Sequence, residues 1–185
     1  MDISVASEAG FSSSFDLDGI ADPDVRVGAI YASNYQRLVG LASLLTGGHA
    51  TGEEIAQETF VIALLNERRK PGYLADPAWP WLRITAVRLA GRLRERLRRQ
   101  VLSHLMQGED TNASDAWGVE TLDVVRALNH LPSKMRMCLI LAYVEDQSTA
   151  SIATMLSCST QNVESQVRKG RERLRTLLGE GYDNG

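Results

Sequence analysis

Arginine side chains close to aromatic rings are the residues of this sequence best suited to chemistry. Residues 68–99 carry ten basic side chains against two acidic ones, and Tyr73, Trp79 and Trp81 lie among them. Guanidinium groups bind phosphates, and aromatic rings stack on unpaired bases. The segment therefore predicts a surface for single-stranded nucleic acid. A solvated helix face and, for the two tryptophans, packing in a core are the alternatives that the pattern leaves open.

A second group of polar side chains lies on the helix predicted for residues 160–178. Five of them share the side opposite the apolar residues: Gln161, Glu164, Ser165, Arg168 and Lys169. Gln, Arg and Lys donate to purine edges or phosphates, and Glu accepts from cytosine. A short helix from Ser148 and the turn at residues 157–159 precede this helix, which predicts a helix-turn-helix for the major groove. Ordinary helical bundles also contain such helix pairs.

Charge is distributed unevenly along the chain, although the formal net charge is only −3. Residues 1–24 and 100–123 contain acids and no base, whereas residues 68–99 and 164–175 are basic. Two basic segments on either side of an acidic stretch indicate two phosphate-contacting modules joined by a linker.

The elements that must position these residues are helices, because the apolar periodicity is helical nearly throughout. We predict an all-α fold of two small helical domains, at residues 25–100 and 120–178, joined by a flexible linker at residues 101–119. An acidic disordered tail at residues 1–24 and a short tail at residues 179–185 flank them. The sequence has no apolar run long enough for a membrane span and no basic leader, so we expect a soluble intracellular protein.

Helix boundaries follow from turn and capping signals. The first helix is predicted from about Val25 to the Gly47-Gly48 pair, and the second begins near Thr51. A basic loop at residues 66–79, which includes Arg68 and Arg69, leads to the third helix. That helix buries one apolar stripe and turns its arginines to the other side. The stripe consists of Leu82, Ala86, Leu89, Leu93 and Leu97.

The sequence shows no group of residues typical of an enzyme active site. The sequence has no phosphate-binding glycine loop and no nucleophile elbow, and His49, His104 and His130 are isolated from one another. Cys138 and Cys158 lie in apolar surroundings and are predicted to be buried thiols. We expect no catalytic residue, no metal and no cofactor.

A series of residues in the second half has the order and spacing typical of a known protein family. In order it comprises Leu131-Pro132, Arg136, residues 141–148 (LAYVEDQS), Ile152-Ala153, Leu156, Ser159, residues 163–165 (VES) and residues 171–174 (RERL). This series resembles region 4 of the extracytoplasmic-function sigma factors of the sigma-70 family. The resemblance implies that the second domain binds the minus-35 duplex through the five residues of the predicted reading helix.

The first half resembles the same family in the expected order. Residues 53–60 (EEIAQETF) are similar to its polymerase-binding helix, and Trp81-Leu82 with the following arginines is similar to the region that opens the minus-10 element. The resemblance implies that Glu54, Gln57 and Glu58 meet the β′ coiled coil of RNA polymerase. It also implies that the minus-10 strand is held by Arg68, Arg69, Tyr73, Trp79, Arg83, Arg88 and Arg92.

The family resemblance implies a bacterial initiation factor in the cytoplasm, whose partners are RNA polymerase core (β and β′ subunits), promoter DNA and an anti-sigma factor. The sequence departs from the family where Val87-Arg88 replaces a common Arg-Asn pair and Arg92 replaces a common Asp. Glu164 also occupies a DNA-contacting position at which the family frequently has a basic residue. The alternative is a helix-turn-helix regulator whose first half is a sensor or dimerisation domain.

Overall fold

A computed structural model describes residues 20–103 and 119–179. These residues form seven α-helices and no strand, which confirms the all-α prediction. The helices are α1 (Pro23–Thr46), α2 (His49–Arg69), α3 (Trp79–Ser103), α4 (Val119–Asn129), α5 (Ser133–Tyr143), α6 (Thr149–Met155) and α7 (Thr160–Leu178). We call residues 20–103 the first lobe and residues 119–179 the second lobe. Most of the predicted linker and both tails, apart from residues 20–24 and 179, lie outside the described residues.

The hairpin of α1 and α2 is the base of the first lobe. The Asp22 side chain accepts a hydrogen bond from the Asp24 N–H and caps α1, with Pro23 in the first helical position. Gly47 ends α1 in the left-handed conformation, at φ 88°, where its N–H donates to the Ser43 carbonyl. Gly52 lets the helices approach closely, because a Cβ atom there would lie 2.6 Å from the Ser43 nitrogen.

The chain between α2 and α3 is organised by a buried carboxylate that the sequence analysis did not single out. Glu67 is fully buried and accepts hydrogen bonds from the N–H groups of Gly72 and Leu74, at 2.6 and 2.9 Å. Arg26 on α1 pairs with Glu67 at 3.1 Å and donates to the Leu74 carbonyl at 2.7 Å. This network fixes the turn that leads into α3.

Two sequence predictions in this lobe need correction. Helix α2 continues to Arg69, so Arg68 and Arg69 lie on its last turn and not in a loop. The loop starts later because Glu67 holds residues 72–74 against the end of α2. The apolar stripe of α3 is buried at Leu82, Ala86 and Leu89, but Leu97 is half exposed and lies beyond the stripe's apolar contacts.

The second lobe contains the predicted pair of short and long helices. Ser148 caps α6 and Ser159 caps α7, each accepting from a backbone N–H three residues on at 3.2 Å. Ser157 takes a left-handed φ of 51° in the turn between them. Gly170 lets α7 lie against α5, because a Cβ atom there would come within 2.9 Å of Met135.

The two lobes share one apolar core. Met137, Ile140 and Leu141 of α5 and Ile152 of α6 belong to the same cluster of buried residues as the apolar faces of α1, α2 and α3. Cys138 is also part of this core, and burial raises the pKa of its thiol to about 11. Cys158 is only half-buried, so the prediction of two buried thiols is correct for Cys138 alone. None of the described helices is long and apolar enough to cross a bilayer.

Candidate nucleic-acid and protein interfaces

The face of helix α7 predicted to read a duplex is open to solvent. Gln161, Glu164, Arg168 and Lys169 are exposed, and Ser165 is half-buried. Val163 and Gly170 are buried on the opposite side, which fixes the rotation of the helix about its axis. The structure therefore brings the five predicted side chains onto one accessible helix face.

Two predicted strand-binding residues at the start of α3 are instead covered by the second lobe. Trp79 is only 8% exposed, and its indole Nε1 donates to the Glu145 Oε2 at 2.9 Å. Arg83 Nη1 lies 3.3 Å from the same carboxylate oxygen, and its Nη2 donates to the Gln147 Oε1 at 3.0 Å. Both partners belong to the turn between α5 and α6.

Arg37 completes this site and was not predicted. Its guanidinium carbon lies 3.7 Å from the centroid of the Trp79 ring, and its Nη2 lies 3.7 Å from the Glu145 Oε2. A cation over an indole face is attracted by the ring quadrupole. We call Arg37, Trp79, Arg83, Glu145 and Gln147 the latch cluster. No local sequence signal identifies Arg37, because it lies on α1, outside the basic segments.

Glu145 is held in place by the shape of its own turn. The residue is 9% exposed, and the Gln147 side-chain amide donates to its backbone carbonyl at 2.7 Å. Asp146 takes a left-handed φ of 46°, and the Ser151 hydroxyl lies 3.1 Å from the Gln147 Oε1. A buried carboxylate is tolerated only with charged and hydrogen-bonding partners. The two arginines and the indole N–H of the first lobe supply them.

Farther along α3 the basic face is accessible. Arg88 and Arg92 are exposed and line a cleft of about 630 Å³ between α3 and the second lobe. Arg94 and Lys134 also line this cleft, together with a single acid, Glu95. Four bases against one acid give the cleft a positive potential, which suits a polyanion.

The residues at the end of α2 and in the following turn form a separate group. Arg68 donates two hydrogen bonds to the Asp24 carboxylate, at 2.7 and 2.6 Å, and this interaction lowers the pKa of Asp24. Tyr73 is 41% exposed, and its hydroxyl accepts from the Trp81 Nε1 at 3.4 Å. Arg69 is exposed on the last turn of α2. Arg68 thus already has an anionic partner, whereas Arg69 and the Tyr73 ring are accessible.

Helix α2 presents a further exposed surface. Glu54, Gln57 and Glu58 face solvent, while Ile55 and Thr59 face the core. The next two turns add Val61 and Leu65, which are 56% and 61% exposed. Positions 54, 58, 61 and 65 follow the helical repeat and share a face. The two apolar residues were not predicted from the sequence; they lie one turn apart and extend the acidic face with an exposed aliphatic pair.

The fold and these surfaces define a two-lobed helical protein with a helix-turn-helix in its second lobe. The family model for sigma-70, region 4 matches residues 121–174. The ECF RNA polymerase sigma factor SigE of Mycolicibacterium smegmatis is 29% identical over 152 residues, which are 77% of this chain and 57% of that protein. The chain therefore spans little more than half the length of this curated relative.

Two solved structures have the same fold. The sigma factor RpoE of Bartonella quintana, in complex with the anti-sigma factor NepR, gives a TM-score of 0.62 at 22% identity, over 86% of this chain and 98% of that chain. CnrH, in complex with the cytosolic domain of CnrY, gives a TM-score of 0.56 at 20% identity, over 89% and 93% of the two chains. Residues 121–174 thus match the sigma-70 region 4 model, and the chain as a whole shares the fold of these two solved structures.

Proposed function

We propose that the protein is a transcription initiation factor that binds RNA polymerase core through the β and β′ subunits and directs it to specific promoters. The observation that carries the proposal is the presence of three chemically distinct surfaces in one chain. They are the acidic and apolar face of α2, the basic face of α3 and the polar reading face of α7.

The α7 face suits an intact duplex upstream, at the minus-35 element. A capped, rigid helix with five polar side chains on one side fits the major groove, where Gln and Arg donate to purine edges. Glu164 adds an acceptor for cytosine N4. These donors and acceptors supply base discrimination, while Lys169 adds attraction to phosphates.

The basic face of α3 suits the separated strand at the minus-10 element. Exposed Arg88 and Arg92 bind backbone phosphates, and the rings of Tyr73 and Trp81 stack on unpaired bases. Strand separation on this surface needs no catalytic residue and no cofactor, because binding energy for unpaired bases offsets the lost stacking. We therefore assign no enzymatic activity to the chain.

The α2 face suits the polymerase. Glu54 and Glu58 match a basic partner surface electrostatically, and Val61 and Leu65 supply apolar area at the centre of the contact. A factor that works on polymerase and chromosomal promoters acts in the bacterial cytoplasm. The two structural neighbours are complexes with NepR, an anti-sigma factor, and with the cytosolic domain of CnrY. By that likeness we also propose an anti-sigma factor as a partner of this chain.

Reconstitution of the full chain with RNA polymerase core tests the proposed function. Promoters that support initiation are selected from a random DNA library, and we expect initiation far above that of core alone. Gln57→Ala should weaken core binding, whereas Gln36→Ala, an exposed glutamine on α1, should not. Arg168→Ala should change the upstream preference, and Arg126→Ala, an exposed arginine on α4, should leave it unchanged.

Two results would contradict the proposal. Initiation no higher than that of core alone would remove the assignment. Tight, sequence-specific duplex binding by the isolated chain without any core binding would favour the helix-turn-helix regulator, the alternative that the family matches do not favour.

A further inference from the structure

The latch cluster combines the chemical features of a phosphate site. Arg37 and Arg83 supply two guanidinium groups, and Trp79 supplies an indole N–H at the start of α3. A phosphate binds to guanidinium groups and accepts hydrogen bonds from N–H donors of this kind. In the structure, the Glu145 carboxylate takes the position between the two guanidinium groups that a phosphate would take.

We propose that Arg37, Arg83 and the indole N–H of Trp79 form a binding site for one backbone phosphate of an unpaired DNA strand, and that Glu145 and Gln147 occupy this site as an intramolecular competitor. The inference rests on the proposed function, because single-stranded DNA is the ligand that the basic face of α3 is assigned. It goes beyond that function by adding Arg37 to the site and by making strand binding depend on release of the turn at residues 144–147.

The geometry favours competition over a purely structural ion pair. One carboxylate oxygen, Glu145 Oε2, receives the indole N–H of Trp79 at 2.9 Å and lies 3.3 Å from Arg83 and 3.7 Å from Arg37. These three partners of the oxygen all belong to the first lobe. Release of the turn would therefore remove the anionic group that faces two arginines and an indole N–H, and an incoming phosphate replaces the lost charge.

The turn is also suited to release. Tyr143, just before the turn, and Val144, its first residue, are 61% and 56% exposed, so they add little apolar burial to hold it. The α7 reading face lies outside the latch cluster and is open in the same structure. The closed form therefore blocks strand binding and leaves duplex reading available.

The test measures the affinity of the full chain for a fluorescein-labelled oligothymidine by fluorescence anisotropy, without polymerase. Glu145→Gln keeps the shape of the side chain and an acceptor for Trp79 but removes the charge that holds both arginines. We expect this variant to bind the strand at least about tenfold more tightly than the unaltered chain, the effect of one charge-assisted hydrogen bond. Asp146→Asn changes the net charge equally, one residue away, and tolerates the same backbone conformation, so it should leave the affinity nearly unchanged.

Two further measurements identify the site. In the Glu145→Gln background, Arg37→Ala or Arg83→Ala should remove most of the gained affinity. Affinity for a labelled duplex that carries the selected upstream element should not change with Glu145→Gln. Thermal unfolding monitored by circular dichroism verifies that each variant is folded. If Glu145→Gln does not fold, Gln147→Ala, which removes one contact of Arg83, should show a smaller gain in strand affinity.

Equal gains for Glu145→Gln and Asp146→Asn would overturn the inference, because net charge alone would then explain the effect. No gain for a folded Glu145→Gln or a folded Gln147→Ala would overturn it as well. Neither result touches the proposed function, which fails only if the unaltered chain does not support initiation with core polymerase.

Discussion

The surfaces proposed for the two promoter elements differ in what lies on them. The α7 reading face is open, whereas Trp79 and Arg83 at the start of α3 are covered by Glu145 and Gln147. Both surfaces are polar faces of amphipathic helices, so the sequence pattern does not distinguish the open surface from the covered one. The difference teaches that exposure at a predicted binding face is decided by contacts between distant segments, and that this fold leaves one proposed DNA surface available while it closes part of the other.

The largest expected effect is a loss of folding stability when the turn before α3 loses its buried carboxylate. Glu67→Ala removes the carboxylate that pairs with Arg26 and holds the turn before Trp79. Removing one partner of a buried ion pair costs about 3–5 kcal/mol, so we expect the free energy of unfolding in urea to fall by that amount. Glu58→Ala, an exposed acid on the same helix, is the control and should change it by less than about 0.5 kcal/mol. Equal effects of the two substitutions would contradict the structural role of Glu67.

Besides the latch cluster, a second set of polar contacts joins the two lobes at the C-terminal end of α1. Arg136 Nη2 donates to the Thr46 carbonyl at 3.0 Å, and Asn129 donates to the Gly47 carbonyl at 3.3 Å. These bonds satisfy carbonyl groups at a helix end, where a cation is also favoured by the dipole. We expect Arg136→Ala to lower the free energy of unfolding by about 1–3 kcal/mol, because buried acceptors lose a charged donor.

The control for this anchor is Arg126→Ala, on the exposed side of α4. Its free energy of unfolding should stay within about 0.5 kcal/mol of that of the unaltered chain. An Arg136→Ala protein as stable as the Arg126→Ala protein would show that the polar contact at Thr46 does not hold the lobes together.

The exposed face of α2 can be compared with the start of α3, because α2 presents this face to solvent whereas the second lobe covers Trp79 and Arg83. We expect Leu65→Ser to weaken binding to polymerase core by about 1–2 kcal/mol, because it removes apolar area from the proposed contact. Biolayer interferometry with immobilised core measures the change. Val25→Ser, which alters an equally exposed aliphatic residue on α1, should bind like the unaltered chain. A loss for Val25→Ser as large as that for Leu65→Ser would place the contact elsewhere.

The smallest effect is expected on the open part of α3. Arg92 is exposed in the basic cleft, so it should contribute one phosphate contact. Arg92→Ala should reduce the slope of log K against log salt for single-stranded DNA by about 0.7. Titrations at several salt concentrations measure this slope, and Arg126→Ala should leave it unchanged. An unchanged slope for Arg92→Ala would show that the cleft does not track the strand backbone.

Local patterns were sufficient for most of the fold. The helical repeat identified the three helices of the first lobe and the pair α6 and α7, and serine caps located the starts of that pair. The same repeat overextended the stripe of α3 to Leu97, which is half exposed. Periodicity assigns a side to each residue but does not show how far the partner helix extends.

The parts of the site that the sequence did not predict depend on pairs far apart in the chain. Glu145 meets Trp79 and Arg83 across more than sixty residues, and Arg68 meets Asp24 across 44. The residues proposed to read DNA from α7 share one helix face that depends only on that helix and its cap, so they could be selected from the sequence. Arg37 and Glu145 needed the packing of the second lobe on the first, which no local spacing encodes.

Site-specific photo-crosslinking in the reconstituted initiation complex tests whether α3 holds the unpaired strand and α7 binds the upstream duplex. A benzophenone side chain is introduced at position 92 on α3 or at position 161 on α7, and the crosslinked DNA positions are mapped. We expect position 92 to react with the unpaired strand at the minus-10 element and position 161 to react with the duplex at the minus-35 element. Crosslinks from position 92 to duplex DNA upstream, or from position 161 to the unpaired strand, would contradict it.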